Sequence, residues 1–374
     1  MIKNIEIYNF KSLKDFKINL KRLTVLAGSN SVGKSSVIQA ILLSKLTVEK
    51  LQQYSQLDSD FELDKKLKIP LNGKYNLNLG NTLEVLSRDV NSNLITFKIS
   101  EAGNSAAILH FDARDNKQDV YNLELNNYNI SSDFTSLKNE FYYLNSERLG
   151  PRLSYDVEQL DYDYVGFQGE YTIQILAQRK ETSVENFKTR GFKNLQDSKL
   201  ISQVRAWMDY IIPGFYLDIA ELEGKLKKAY TSFSKSSPTN VGFGISYVLP
   251  IVVNGLISKE NSLFIVENPE AHLHPKGQSN IGYFLGKLVN SGLQILIETH
   301  SEHVINGLRR ANLESDDFNH EDFIINFFNG FDDRNNSLIK EIILDKTGDL
   351  SSFPKDFFDQ VQQDMLSIFK LQKK

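Results

Sequence analysis

The residues Gly28-Ser29-Asn30-Ser31-Val32-Gly33-Lys34-Ser35 satisfy the pattern Gly-x4-Gly-Lys-Ser. The chemistry of that pattern is phosphate binding. Glycine takes backbone angles barred to other residues, so consecutive N–H groups can face one anion. A following helix adds its N-terminal dipole. The lysine reaches the β- and γ-phosphates, and the serine hydroxyl serves Mg²⁺. Gly28, Asn30, Ser31, Gly33, Lys34, Ser35 and Ser36 are therefore the expected nucleotide-binding residues, with ATP and Mg²⁺ as cofactors. Further along, Glu267-Asn268-Pro269-Glu270 follows the apolar run Leu263-Phe264-Ile265-Val266. A carboxylate there can hold Mg²⁺ through its water shell, and a second one nearby can polarise the attacking water. His300 ends another apolar run, where ligands bind in α/β sheets, and could contact the γ-phosphate. Glu267, Glu270 and His300 are the expected catalytic residues, and Ser35 and Glu267 the expected metal ligands.

Chemistry of this kind needs strands that end together. Leu23–Ala27 reads as a buried strand feeding the loop, and Val37, Ile38, Ala40, Ile41 and Leu42 are spaced for the helix after it. Ser262–Val266, a helix over about 276–290 and Gln294–Ile297 repeat strand, helix, strand, which implies parallel pairing. Residues 2–9 and Phe16–Leu20 read as strands. From about 70 to 145, alternation such as Leu94–Ile99 and Ala107–Phe111 points to short antiparallel strands, with Phe141–Leu144 a further one. The pattern turns helical over about 168–212. Ser234–Thr239 reads as a polar loop, and Leu249–Leu256 as a helix.

Composition narrows the field. The chain has 374 residues, 41% of them apolar and 24% charged, with a net charge of −4 and no cysteine. Disulfides, zinc–thiolate sites and thiol catalysis are excluded. Nothing in the net charge draws the whole chain towards nucleic acid or an anionic membrane. No apolar run approaches the roughly 18 residues needed to cross a bilayer, and the start lacks a signal-peptide core. The expected location is the cytoplasm, with no membrane partner. His272-Leu273-His274 offers two imidazoles without a third ligand, and reads as packing or as a contact across a dimer.

The residues also resemble a family. Ile2-Lys3-Asn4-Ile5 with Phe10-Lys11-Ser12-Leu13 is similar to the opening of the RecF/OLD-like branch of ABC-type ATPases, relatives of the SMC proteins. Glu267-Asn-Pro-Glu-Ala-His-Leu-His-Pro275 resembles that branch's Walker B and D-loop, and Leu296-Ile-Glu-Thr-His-Ser301 its His-switch strand. Asn240-Val-Gly-Phe-Gly-Ile-Ser246 stands where the ABC signature belongs. Phe353–Gln360 resembles a tail of bacterial ATPases of this type. The fold implied is α/β: an ABC-type P-loop ATPase head with a mixed or parallel sheet and flanking helices, a β-rich subdomain and a helical insertion. The expected division is 1–45 with 240–345 for the ATPase lobe, 46–154 for the β-rich subdomain, 155–239 for the helical insertion, and 346–374 for the tail. The resemblance further implies ATP hydrolysis and a head-to-head dimer or higher even oligomer. Each nucleotide would lie between one phosphate loop and the partner copy's Gly242, Gly244 and Ser246.

Two departures qualify this. Where the family has Asp then Glu, the chain has Glu267 then Asn268, and asparagine cannot accept a proton as a carboxylate can. Either Glu270 is the base, or hydrolysis is slow and ATP holds a conformation. The signature also lacks the transporters' Ser-Gly-Gly-Gln. Arg148, in Ser146–Arg152, is a candidate nucleotide or partner contact or a paired surface arginine. About 70 residues follow His300, too few for the nuclease domain of OLD-like enzymes, and Asp316, Asp317, Asp332 and Asp333 read as solvated turns. Similar stand-alone ATPases accompany a nuclease or toxin in bacterial defence against phage, which makes a separate effector protein the expected partner. The alternatives are a stand-alone RecF-like ATPase for DNA repair or DNA binding, and an ATP-gated scaffold with little turnover. DNA or RNA could meet Arg179, Lys180, Lys188, Arg190, Lys193, Lys199 and Arg205, or Lys225, Lys227 and Lys228. The acids Glu181, Glu185 and Asp197 among them favour an ordinary solvated face.

Overall fold

The structure is a computed structural model that describes residues 1–57, 67–113, 120–223, 228–233, 242–315, 319–354, 357 and 359–372. Strands β1 (Ile2–Phe10) and β2 (Leu13–Asn19) pair antiparallel, and β3 (Leu23–Gly28) runs to helix α1 (Lys34–Leu57). Strand β4 (Leu67–Pro70), the one-turn helix α2 (Thr82–Val85), and strands β5 (Leu94–Glu101), β6 (Ala106–Asp112) and β7 (Asn122–Ile130) follow. Next come β8 (Phe141–Leu144), β9 (Tyr155–Asp156), and helices α3 (Thr172–Arg179), α4 (Phe187–Arg190) and α5 (Leu200–Ile211). Strands β10 (Leu217–Glu223) and β11 (Lys228–Phe233) precede α6 (Phe243–Ile257). Then β12 (Leu263–Glu267), α7 (Pro275–Val289), β13 (Gln294–Glu298) and α8 (Glu302–Leu313) alternate. Strands β14 (Phe323–Phe331) and β15 (Ser337–Ile343) and helix α9 (Gln360–Gln372) complete the described chain.

The central sheet has the order β15-β14-β3-β13-β12-β8. All its neighbours are parallel except β14 and β15. A second sheet, β2-β1-β5-β6-β7-β4, is antiparallel throughout, and β10-β11-β9 form a small third one. Successive side chains on a strand face opposite sides, and the central strands divide their apolar residues accordingly. Val25, Phe264, Val266, Ile295 and Ile297 join one core with Trp207, Val252, Phe284 and Leu308 of the helices. Leu26, Ile265 and Leu296 join the other, with Ile38, Ile41 and Leu42 of α1 and Ile5, Phe97 and Leu109 of the antiparallel sheet. Helix α1 thus lies between two sheets, and its buried polar side chains are satisfied by main-chain carbonyls: Ser44 on Ala40, Thr47 on Leu43 and Lys45 on Leu137.

The expected elements recur, but their grouping differs in three places. Strand β8, expected with the β-rich segment 46–154, pairs parallel with β12 in the central sheet. All four of its residues are buried, as a strand covered on both faces requires. Strands β1 and β2, expected in the ATPase lobe, belong to the antiparallel sheet through β5. The segment 155–239, expected to be helical, also carries β9, β10 and β11. Ser234–Thr239, Lys225, Lys227, Asp316 and Asp317 lie outside the described residues.

Candidate functional site

Parallel strands end on one edge of their sheet, and the candidate site is built on that edge. Strand β3 ends at Gly28, with φ +125°. A Cβ on Gly28 would stand 2.1 Å from the Phe328 carbonyl oxygen of β14, so only glycine fits. Gly33, at φ +107°, has the hydroxyls of Ser337 and Ser12 behind it and releases the chain into α1. Between the two glycines, Ser29, Asn30 and Ser31 are exposed and Val32 is buried as the loop's anchor. Lys34 is buried, and its ammonium donates to the carbonyls of Gly28, at 3.0 Å, and Ser29. Burial lowers its pKa, and Glu298 opposes that shift. Ser35 is exposed and Ser36 partly so, both in the first turn of α1.

The next two strand ends carry carboxylates. Glu267 and Glu298 are register partners on β12 and β13. Each falls in phase with the residues that face α1, Ile265 and Leu296, so both belong to the loop's side of the sheet. The Ser35 hydroxyl donates to Glu298 Oε1 at 3.0 Å. Burial pushes the Glu298 carboxyl up to about 7, with Glu267 adding to the effect and Ser35 and Lys34 opposing it. Tyr143 of β8 donates its hydroxyl to Glu267 Oε1 at 2.8 Å, and the Ser146 N–H donates to Oε2 at 3.3 Å. Burial raises the Glu267 pKa as well.

Glu270 sits beyond β12 and reaches the end of β13. Its carboxylate accepts from the Thr299 hydroxyl at 2.8 Å and from the His300 N–H at 2.8 Å. His300 itself is exposed, and its pKa is lowered by partial burial and by the charge of Lys34. A neutral imidazole at pH 7 can donate one hydrogen bond and accept another. A cavity of about 330 Å³ opens here between Gly28, Ser29, Thr299, His300, Phe327 and Phe357. The loop, Glu267, Glu270 and His300 are thus brought together at neighbouring strand ends.

The remaining predicted residues lie elsewhere. Gly242 caps the N-terminus of α6, and a Cβ on Gly244 would stand 2.9 Å from the His272 carbonyl oxygen. Ser246 is buried, and its hydroxyl has no partner. Asn240 and Val241 lie outside the described residues. The first-turn amides of a helix have no intrahelical partner, so the start of α6 can offer N–H groups, whereas the Ser246 side chain turns inward. His272 packs on Phe243 and Tyr247, with ring centroids 5.6 and 4.6 Å away, while His274 caps α7. Among the described residues no group of three or more histidines and carboxylates could hold a metal by itself. Mg²⁺ at a phosphate site is held by one or two protein groups, phosphates and water, which the Ser35 hydroxyl and the neighbouring carboxylates fit.

Three features corrected or extended the reading from sequence. Arg148 is buried rather than a surface or ligand contact. Its guanidinium donates to the carbonyls of Asn145 (2.9 Å), Glu267 (2.7 Å) and Asn268 (2.6 Å), and packs on Tyr247. Burial lowers its pKa to about 10. It clamps the turn holding Asn268, which takes a left-handed φ of +43°. The basic stretch is not one face. Arg190 is fully buried on Ser291, Gly255 and Leu256, while Arg179, Lys199 and Lys228 pair with Asp163, Glu181 and Asp156. Glu298 was not predicted, although its position two residues before His300 and its phase on β13 are visible in the sequence. Asp332 accepts from the N–H groups of Arg334 and Asn336 in the β14–β15 turn, as a turn acid should.

The model of the AAA ATPase domain family matches residues 1–206 and 170–305. A second family, described as "Protein of unknown function (DUF3696)", matches residues 318–368. The Septu protein PtuA of Bacillus mycoides (strain KBAB4) is 36% identical over 109 residues, a stretch covering 26% of this chain and 14% of that protein. Among solved structures, an SMC head bound to the C-terminal winged-helix domain of ScpA aligns with a TM-score of 0.50 and 13% identity. That alignment covers 92% of this chain and 98% of the other, and it shows a shared fold. The SMC head domain from Thermotoga maritima aligns with a TM-score of 0.42 and 11% identity, over 91% and 98% of the two chains.

Proposed function

Because the chain belongs to the AAA ATPase domain family, we propose that it binds and hydrolyses ATP at Gly28–Ser36 and closes head to head on a second copy. In this reading it is the sensing or regulatory subunit of a nucleic-acid-directed effector, a nuclease or toxin, in defence against phage. The observation that carries the nucleotide site is the meeting of Lys34, Ser35, Glu267, Glu270, Glu298 and His300 at adjacent strand ends. The stretch shared with the Septu protein supports the defence part of the reading.

The loop amides and the α1 N-terminus would receive the phosphates. Lys34, held by two carbonyls of its own loop, would exchange them for phosphate oxygens. Ser35 and a carboxylate from the neighbouring strand ends would hold Mg²⁺, which when bound neutralises charge developing on the phosphates. His300, just beyond the end of β13, would touch the γ-phosphate. Glu270 is the carboxylate left to orient water, because Asn268 occupies the usual base position. The partner copy's Gly242 and Gly244 would close the site from outside with main-chain N–H groups.

Asn268 favours a second reading, in which ATP clamps a conformation and turns over little. Light scattering separates dimer closure from simple binding. The proposal expects the mass to double on adding ATP to a Glu270→Gln variant; a monomer at saturating ATP refutes the head-to-head part. Purification from the native host with bound proteins tests the effector: a nuclease or toxin should co-elute, and none in repeated isolations counts against it.

A further inference from the structure

The loop serine that P-loop proteins use for Mg²⁺ is already engaged by one carboxylate here, and that carboxylate is not the expected Glu267. Ser35 directs its hydroxyl proton to Glu298 Oε1 at 3.0 Å, which leaves the oxygen's lone pairs for a cation. The other oxygen of Glu298, Oε2, is buried and has no hydrogen-bond partner. The residue is 94% buried, its relative exposure being 6%. A buried carboxylate oxygen without a partner is costly unless a ligand completes it. Glu267 is differently placed, with Oε1 taken by the Tyr143 hydroxyl and Oε2 by the Ser146 N–H. Those bonds, with Arg148 on the Glu267 carbonyl, fix Glu267 as a link between the turn, β8 and β12.

We propose that Glu298, rather than Glu267, is the carboxylate that Mg²⁺ meets beside Ser35, either directly or through one of its waters. Oε1 orients the Ser35 hydroxyl and Oε2 supplies the missing acceptor. Glu267 acts as a positioning residue, setting the turn that carries Asn268 and Glu270. The assignment rests on the nucleotide-site reading above. It follows from sheet order: β13 lies between β3 and β12, so the acid nearest the loop helix comes from β13.

The test uses the full chain, with Mn²⁺ as a paramagnetic stand-in for Mg²⁺ and AMP-PNP as a nucleotide that is not hydrolysed. Free Mn²⁺ is followed by electron paramagnetic resonance, and AMP-PNP binding in EDTA by calorimetry. Glu298→Gln should weaken Mn²⁺ binding to the nucleotide complex at least about tenfold, while AMP-PNP affinity in EDTA stays within about threefold. Glu267→Gln should change Mn²⁺ affinity less than about threefold. Glu298→Asp, which keeps the charge, should recover part of the loss. The assignment is overturned if Glu298→Gln binds Mn²⁺ like the parent, if Glu267→Gln carries the loss instead, or if the Asp variant is no better than the Gln variant. A parent chain that binds no AMP-PNP, with or without metal, overturns the nucleotide site itself and the assignment with it.

Discussion

Replacing Glu298 by glutamine should make the metal-free protein more stable at pH 8 and leave it nearly unchanged at pH 5. Glutamine keeps the shape and an oxygen for the Ser35 hydroxyl, but has no proton to lose. Burial and the nearby Glu267 raise the native carboxyl from 4.5 to about 7. Below pH 4.5 both the native and the unfolded chain hold this proton, and the group contributes no difference. Between 4.5 and about 7 the unfolded chain releases it while the native chain keeps it, so stability falls as pH rises. Each pH unit across that window is worth roughly 1.4 kcal/mol, which accumulates to about 3 kcal/mol by pH 7 and then stays level. Glu298→Gln removes this loss. Denaturant unfolding of parent and variant in EDTA, at half-unit steps from pH 5 to 8, reads the difference. A gap that stays flat within about 1 kcal/mol across the range refutes the buried, charge-crowded carboxyl. Saturating nucleotide and Mg²⁺ should reverse the order, because only the parent then gains a bound cation.

Gly28→Ala should destabilise the chain by at least about 2 kcal/mol in urea titrations, since it forces a Cβ onto the Phe328 carbonyl at a φ that alanine disfavours. Arg148→Ala should cost about 3–5 kcal/mol by the same assay, because it removes the buried guanidinium that holds the carbonyls of Asn145, Glu267 and Asn268 together. Arg148→Lys should recover little, as one ammonium lacks the guanidinium's fork. Glu267→Gln and Glu270→Gln should both lower steady-state phosphate release; parental turnover in Glu270→Gln would remove Glu270 as the base.

The sequence displayed the phosphate loop fully because that loop is local. Gly28, Gly33, Lys34 and Ser35 need only a strand before and a helix after, and both announce themselves by apolar pattern. Glu267, Glu270 and His300 were candidates for the same reason, each lying within four residues of the end of an apolar run. What could not be read was the lateral order of strands. Phe141–Leu144 looks like any short strand, and only pairing with β12 places Tyr143 on Glu267. Glu298 belongs to the site because β13 lies between β3 and β12, a fact of long-range pairing. Arg148 and Arg190 were misread because charge suggests surface. Each is instead buried among backbone carbonyls, and such contacts leave no periodic trace in the chain. The β10–β11 pair lies beyond the stretch of about 168–212 whose pattern reads as helical, and its pairing with β9 is again a fact of long-range contact.

The central claim is that Gly28–Ser36 binds ATP through Lys34. Calorimetric titration of ATP with Mg²⁺ into the parent chain and into Lys34→Ala tests it most directly. The account predicts saturable binding of one ATP per chain in the parent and none measurable in Lys34→Ala, with both chains folded by circular dichroism. Unchanged affinity in Lys34→Ala would contradict it.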